Sequence, residues 1–71
     1  MTDYFINTAE SRYNYTEIAK IMSLLLKQVP HLYTEREGIL KITFKGEKFF
    51  DVDSLAGVLD VSEIECYVRD I

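Results

Sequence analysis

Histidine and cysteine each occur once, as His31 and Cys66. Nucleophilic catalysis needs a nucleophile beside a base, and a metal centre needs several ligands at set spacing. One residue of each type, with no glycine-rich phosphate loop in the chain, assembles neither. Asp51-Val52-Asp53 followed by Gly57 has the opening of a calcium loop. That loop also needs an oxygen ligand at its fifth position, glycine at its sixth and glutamate at its twelfth. Leu55, Ala56 and Ser62 stand at those places. No enzyme, cofactor or metal site is expected. His31, directly after Pro30, reads as a boundary residue, and Cys66 as a small core hydrophobe.

The chemistry that remains is binding, and charge decides its kind. The net charge of -4 is unevenly spread. Residues 1 to 50 carry seven basic and six acidic side chains, whereas residues 51 to 71 carry six acids against Arg69 alone. Asp60, Glu63, Glu65 and Asp70, with Tyr67 and Arg69 among them, form the candidate surface for a protein partner. Lys41, Lys45 and Lys48 are the candidates for contact with a nucleic-acid backbone, which requires a cationic footprint.

Composition describes a folded chain, at 48% hydrophobic and 28% charged residues with one proline and three glycines. Its 71 residues make a single small domain, 1–71, with a small core. A lone cysteine cannot form an internal disulfide, so a reducing, cytoplasmic setting is expected. No charged leader precedes an apolar segment. The longest aliphatic run, Leu24-Leu25-Leu26, is far below the roughly 20 residues that span a bilayer, so no membrane association is expected.

The elements that position these residues follow from periodicity. MTDYFINTAESRY, residues 1–13, reads as a polar N-terminal arm that docks through Tyr4 and Phe5. Asn14 with Glu17 fits a capping box, and Ile18, Ile21, Met22, Leu25 and Val29 recur at helical spacing until Pro30. These features predict a long N-terminal helix from about Tyr15 to Gln28. It is apolar on more than one face, so Ile21, Leu24 and Leu26 are candidates for a homodimer interface. HLYTEREG reads as a turn-rich connector or one short helical turn, with Gly38 placed for a left-handed C-cap.

Leu40, Ile42 and Phe44 alternate with Lys41, Thr43 and Lys45 as in a half-buried strand. Gly46-Glu47 suits the turn of an antiparallel β-hairpin whose return strand holds Phe49, Phe50 and Val52. Asp53 is placed to cap a short second helix over Ser54 to Leu59. Residues 62–71 fit a C-terminal helix through Ser62, Glu65, Ile64 and Val68, and equally a third strand through Ile64, Cys66 and Val68. The fold class is therefore α+β, with a core of Leu25, Ile42, Phe44, Phe50, Leu55 and Leu59.

In SLAGVLDVS, the residues Leu55, Ala56, Leu59, Val61 and Ser62 fall where a helix-turn-helix needs apolar flanks, a close-approach alanine and a small cap. This stretch resembles the excisionase-type helix-turn-helix. GEKFFDVDSLAGVLDV also resembles the hairpin-to-helix stretch of phage antirepressor (Bro-type) amino-terminal domains. The resemblance implies scaffold roles for Gly46, Phe49, Phe50, Leu55, Ala56 and Leu59, a recognition surface over residues 63–70, and a phage or mobile-element setting. A reading helix bearing Glu63, Glu65 and Asp70 with one arginine has the wrong sign for phosphate. The preferred reading is therefore a small acidic regulator that acts by protein–protein binding. A helix-turn-helix DNA-binding regulator is the alternative.

Overall fold

The computed structural model describes residues 1–46 and 51–69. Its first element is a strand, β1 (Thr2–Asn7), followed by helix α1 (Tyr15–Leu26), strands β2 (Leu32–Arg36) and β3 (Ile39–Phe44), helix α2 (Val52–Leu59) and strand β4 (Ile64–Val68). The four strands form one antiparallel sheet in the order β2-β3-β1-β4. This β-α-β-β-α-β order is the split, ferredoxin-like arrangement. The fold is thus mixed α+β, but the expected element order is overturned. The helix does not lead, and the segment read as an arm opens with a central strand.

Alternation explains β1. Thr2, Tyr4 and Ile6 are buried on the side that the helices cover, while Asp3, Phe5 and Asn7 lie on the other side. Leu40, Ile42 and Phe44 bury the same face of β3. Tyr4 meets Phe44 edge to face, with ring centroids 6.1 Å apart. Ile18, Ala19, Met22 and Leu26 of α1 and Leu55 and Leu59 of α2 complete the core. Of the six expected core residues, Ile42, Phe44, Leu55 and Leu59 are buried, Leu25 packs against the core in part, and Phe50 lies outside the described residues.

The capping box at α1 is present as the sequence predicts. The Asn14 side chain accepts from the Glu17 N–H at 2.8 Å, and the Asn14 N–H donates to the Glu17 carboxylate at 3.1 Å. The helix stops at Lys27, which takes a left-handed conformation before Pro30. The hairpin is displaced from its expected place. β2 and β3 form it, and the turn is Glu37-Gly38, both at positive φ (54° and 81°), as a type I′ turn requires. Gly38 is a turn residue here and not a helix cap. The return strand expected over Phe49, Phe50 and Val52 falls partly outside the described residues, and Val52 itself begins α2. The cap of α2 is Asp51, two residues earlier than expected, accepting from the Ser54 N–H at 3.2 Å. Residues 64–68 are a strand, so the helical alternative for the C-terminal segment is overturned.

One buried group has no partner. The Tyr4 hydroxyl makes no hydrogen bond among the described residues, and Cys66, its partner across the β1–β4 pairing, brings a thiol near it. Burial, then that thiol, pushes its pKa up to about 12. A buried unsatisfied hydroxyl costs stability that an apolar isostere avoids. Tyr4→Phe is accordingly expected to leave the fold intact and raise its stability by up to about 1 kcal/mol in urea unfolding. A loss of that size would mean the hydroxyl has a partner in solution.

Candidate functional site

Both helices cover one face of the sheet, and the functional candidates collect on the other. Strand register builds this open face. Phe5 on β1 lies between Lys41 on β3 and Glu65 on β4, and Asp3 lies between Thr43 and Tyr67. Phe5 and Tyr67 meet edge to face at 5.6 Å, and the Lys41 ammonium sits 5.7 Å from the centre of the Phe5 ring. The Tyr67 hydroxyl donates to the Glu65 carboxylate at 3.1 Å. This bond to Glu65, together with the carboxylate's charge, raises the pKa of the phenol.

Beside the aromatic pair is an ion pair. Arg69 approaches Asp3 through Nε at 2.7 Å and Nη2 at 3.1 Å, and the Thr43 hydroxyl donates to the same carboxylate at 2.7 Å. Asp3 is only 5% exposed. Burial pushes its pKa up, but the bonds from Thr43 and Arg69 and the cationic charge outweigh burial and hold it below the ordinary 3.8. Two hollows flank this cluster. One of about 290 Å³ is lined by Phe5, Asn7, Ile39, Glu63 and Glu65, and one of about 560 Å³ lies over Tyr67, Val68 and Arg69.

The structure therefore brings Glu63, Glu65, Tyr67 and Arg69 together on one surface, as their alternation along β4 implies. Asp60 is elsewhere. It ends α2 in a left-handed conformation, and its carboxylate accepts from the Arg12 N–H at 3.2 Å. Asp70 lies outside the described residues. Lys41 and Lys45 do not gather at a hairpin end. Lys41 is mid-strand over Phe5, Lys45 follows the end of β3, and Lys48 lies outside the described residues. The dimer candidates on α1 also separate. Leu24 is 72% exposed, but Leu26 is 1% exposed and Ile21 packs against the core, so the broad apolar surface of this helix mostly serves its own domain.

Sequence reasoning missed Asp3, Asn7, Ile39 and Thr43, and placed Phe5 on an arm. The one available signal was the period-two pattern of TDYFIN. His31 is exposed, its N–H bonded to the Thr43 carbonyl at 2.8 Å. Cys66 is half-buried, and burial raises the pKa of its thiol. Among the described residues, no three His, Cys, Asp or Glu side chains converge as metal ligands, and no helix is long and apolar enough to cross a membrane.

Comparison of the chain with protein-family models, curated proteins and solved structures finds no match in any of the three. The likeness to helix-turn-helix and antirepressor domains thus rests on the sequence motif alone. Where that motif needs a second helix, the structure has β4.

Proposed function

We propose that the protein is a small acidic, non-enzymatic regulator that acts by binding a protein partner, and that the open face over β1 and β4 is the binding surface. The hollow beside Phe5 is the observation that carries this reading. It offers an aromatic ring, two carboxylates from Glu63 and Glu65, and the Asn7 amide. An aromatic face beside carboxylates suits a lysine or arginine side chain of the partner, through cation–π attraction and charge-assisted hydrogen bonds. The exposed Tyr67 adds the kind of amphipathic contact area that dominates protein interfaces.

Nucleic acid is the weaker fit. Phe5 and Tyr67 resemble a base-stacking platform, yet Asp3, Glu63 and Glu65 offset Lys41 and Arg69, and Arg69 is already engaged by Asp3. Residues 64–68 form a strand where the helix-turn-helix reading places its recognition helix.

Charge reversal at the face tests the proposal. Glu65→Lys is expected to lower capture of the partner from the cell of origin by on the order of tenfold, with the circular dichroism spectrum unchanged. Leu24→Glu, on the helix side, is expected to leave capture intact. Equal capture by Glu65→Lys and wild type, or salt-sensitive binding of a random DNA duplex by the wild type, would overturn this reading.

A further inference from the structure

β4 is an edge strand, and its backbone bonding can be followed residue by residue. Arg69 and Met1 exchange bonds, the Arg69 N–H donating to the Met1 carbonyl at 2.7 Å and the Met1 ammonium donating to the Arg69 carbonyl at 2.9 Å. In an antiparallel ladder such pairs alternate. Tyr67 and Glu65 therefore also direct their backbone groups at β1, and Ile64, Cys66 and Val68 direct theirs away from the sheet. Among the described residues, no strand pairs with that outer edge. Native edges are usually blunted by shortness, charged side chains (lysine above all), proline or a bulge, and of these β4 has its five-residue length and the one charge of Glu65. IECYV has neither lysine nor proline, and its pairing with β1 runs through without a bulge. Val68 is 52% exposed and Tyr67 is 51% exposed.

We propose that this edge is a homodimer interface, in which β4 pairs antiparallel with β4 of a second copy about a two-fold axis through Cys66. In that register the outward backbone groups of Ile64, Cys66 and Val68 meet those of Val68, Cys66 and Ile64 of the second copy. On the helix-covered face, Ile64 lies against Val68 of the second copy. On the open face, Tyr67 lies against Glu65, and Arg69 lies against Glu63. The Nε and Nη2 of Arg69 hold Asp3 and no hydrogen bond of its Nη1 is formed among the described residues, which leaves that nitrogen to pair with Glu63 of the second copy.

Neighbouring registers are poorer. An axis through Glu65 sets two carboxylates face to face, and an axis through Tyr67 leaves Ile64 without an apolar partner. The other edge, β2, fits a second copy less well. Centred on Thr34, LYTER would set Leu32 against Arg36, an apolar side chain against a charged one, where β4 sets Ile64 against Val68. Pairing through β4 joins two four-stranded sheets into one of eight strands. The two Phe5 patches then share a single surface, with their β1 strands roughly 14 Å apart at ordinary strand spacing.

Glu63 and Glu65 also serve the proposed partner surface, so the dimer is tested on the purified protein alone, where no partner competes for them. Sedimentation equilibrium over micromolar to near-millimolar concentration is expected to show reversible dimer. Val68→Lys, which places an edge lysine, and Glu63→Arg, which sets arginine against Arg69 of the second copy, are each expected to raise the dimer dissociation constant by about tenfold or more. Thr34→Lys on the β2 edge is expected to leave it unchanged. Circular dichroism establishes that each variant is folded, and Glu63→Arg, at an exposed position, serves if Val68→Lys does not fold. A wild type that stays monomeric throughout would overturn the proposal. So would a dimer that survives both β4 substitutions, or one that Thr34→Lys dissolves.

Discussion

Phe44→Ala is expected to remove a large share of the protein's stability, the largest loss of any single substitution considered. The ring is fully buried on β3 and contacts Tyr4 edge to face. Removing it forfeits transfer free energy, leaves a cavity and breaks the aromatic pair, at a combined cost of about 3–5 kcal/mol. A chain of 71 residues has total stability on the order of 4–10 kcal/mol, so much or all of it is lost. In a domain of this size the thermal midpoint is expected to fall by roughly 15–30 °C, read by circular dichroism. Leu24→Ala, at a position 72% exposed on α1, is the matched control and is expected to shift stability by no more than about 0.5 kcal/mol. A small effect at position 44 would mean that the helices do not cover the face of β3 that Phe44 occupies.

The second large effect is expected at Arg69, and it depends on pH. Arg69→Ala strips Asp3, nearly buried in the intact protein, of its cationic partner and leaves the Thr43 hydroxyl as its remaining close hydrogen-bond donor. Breaking a buried pair by removing one partner is costly because the other charge stays behind. The Arg69 side chain is half exposed, which screens the pair, so the expected loss is about 1–3 kcal/mol. Asp3→Asn is expected to cost less, since the guanidinium that remains can turn to water.

Linkage gives the direction with pH. The folded Asp3 carboxyl titrates below the ordinary 3.8, so as pH falls the unfolded chain takes up its proton first. Stabilisation by the ionised pair is complete above that value and is lost as pH drops through the lower folded pKa. The stability gap between wild type and Arg69→Ala is therefore expected to be widest near neutral pH and to close on acidification through the carboxylate range. A gap that stays constant in strong acid would show that Arg69 acts through packing alone.

Much of this fold can be read from the chain, and what cannot has identifiable causes. α1 declares itself through Asn14, Glu17 and the recurrence of Ile18, Met22 and Leu25. β3 does so through Leu40, Ile42 and Phe44. β1 is obscured because its outward positions hold an acid, an aromatic ring and an amide, so its alternation is easily taken for a polar arm with two rings. β2 is exposed at every position, and LYTER accordingly carries no wet-and-buried rhythm. With β2 unseen, the turn fell to Gly46-Glu47, when Glu37-Gly38 makes it. The Gly46 N–H instead donates to the Gln28 side chain at 3.1 Å. In the last segment, helical and strand patterns use the same apolar residues, and pairing with β1 decides between them.

The candidate site was half legible for the same reason. Glu63, Glu65, Tyr67 and Arg69 sit at alternate positions, so one strand face unites them without knowledge of the rest of the chain. The other half comes from β1, and no local pattern reveals that Asp3 and Arg69, 66 residues apart, will meet. Their register follows only once β1 is known to be central.

The most direct measurement is site-specific photo-crosslinking in the cell of origin, with a photoreactive amino acid at position 67 on the open face or at position 58 on α2. Both positions are about half exposed, so accessibility alone does not separate them. The expected result is an adduct from position 67 with a protein other than a second copy of this chain, which Glu65→Lys suppresses, and no such adduct from position 58. Such adducts only from position 58, or one from position 67 indifferent to Glu65→Lys, would contradict the placing of the binding surface on the open face of the sheet.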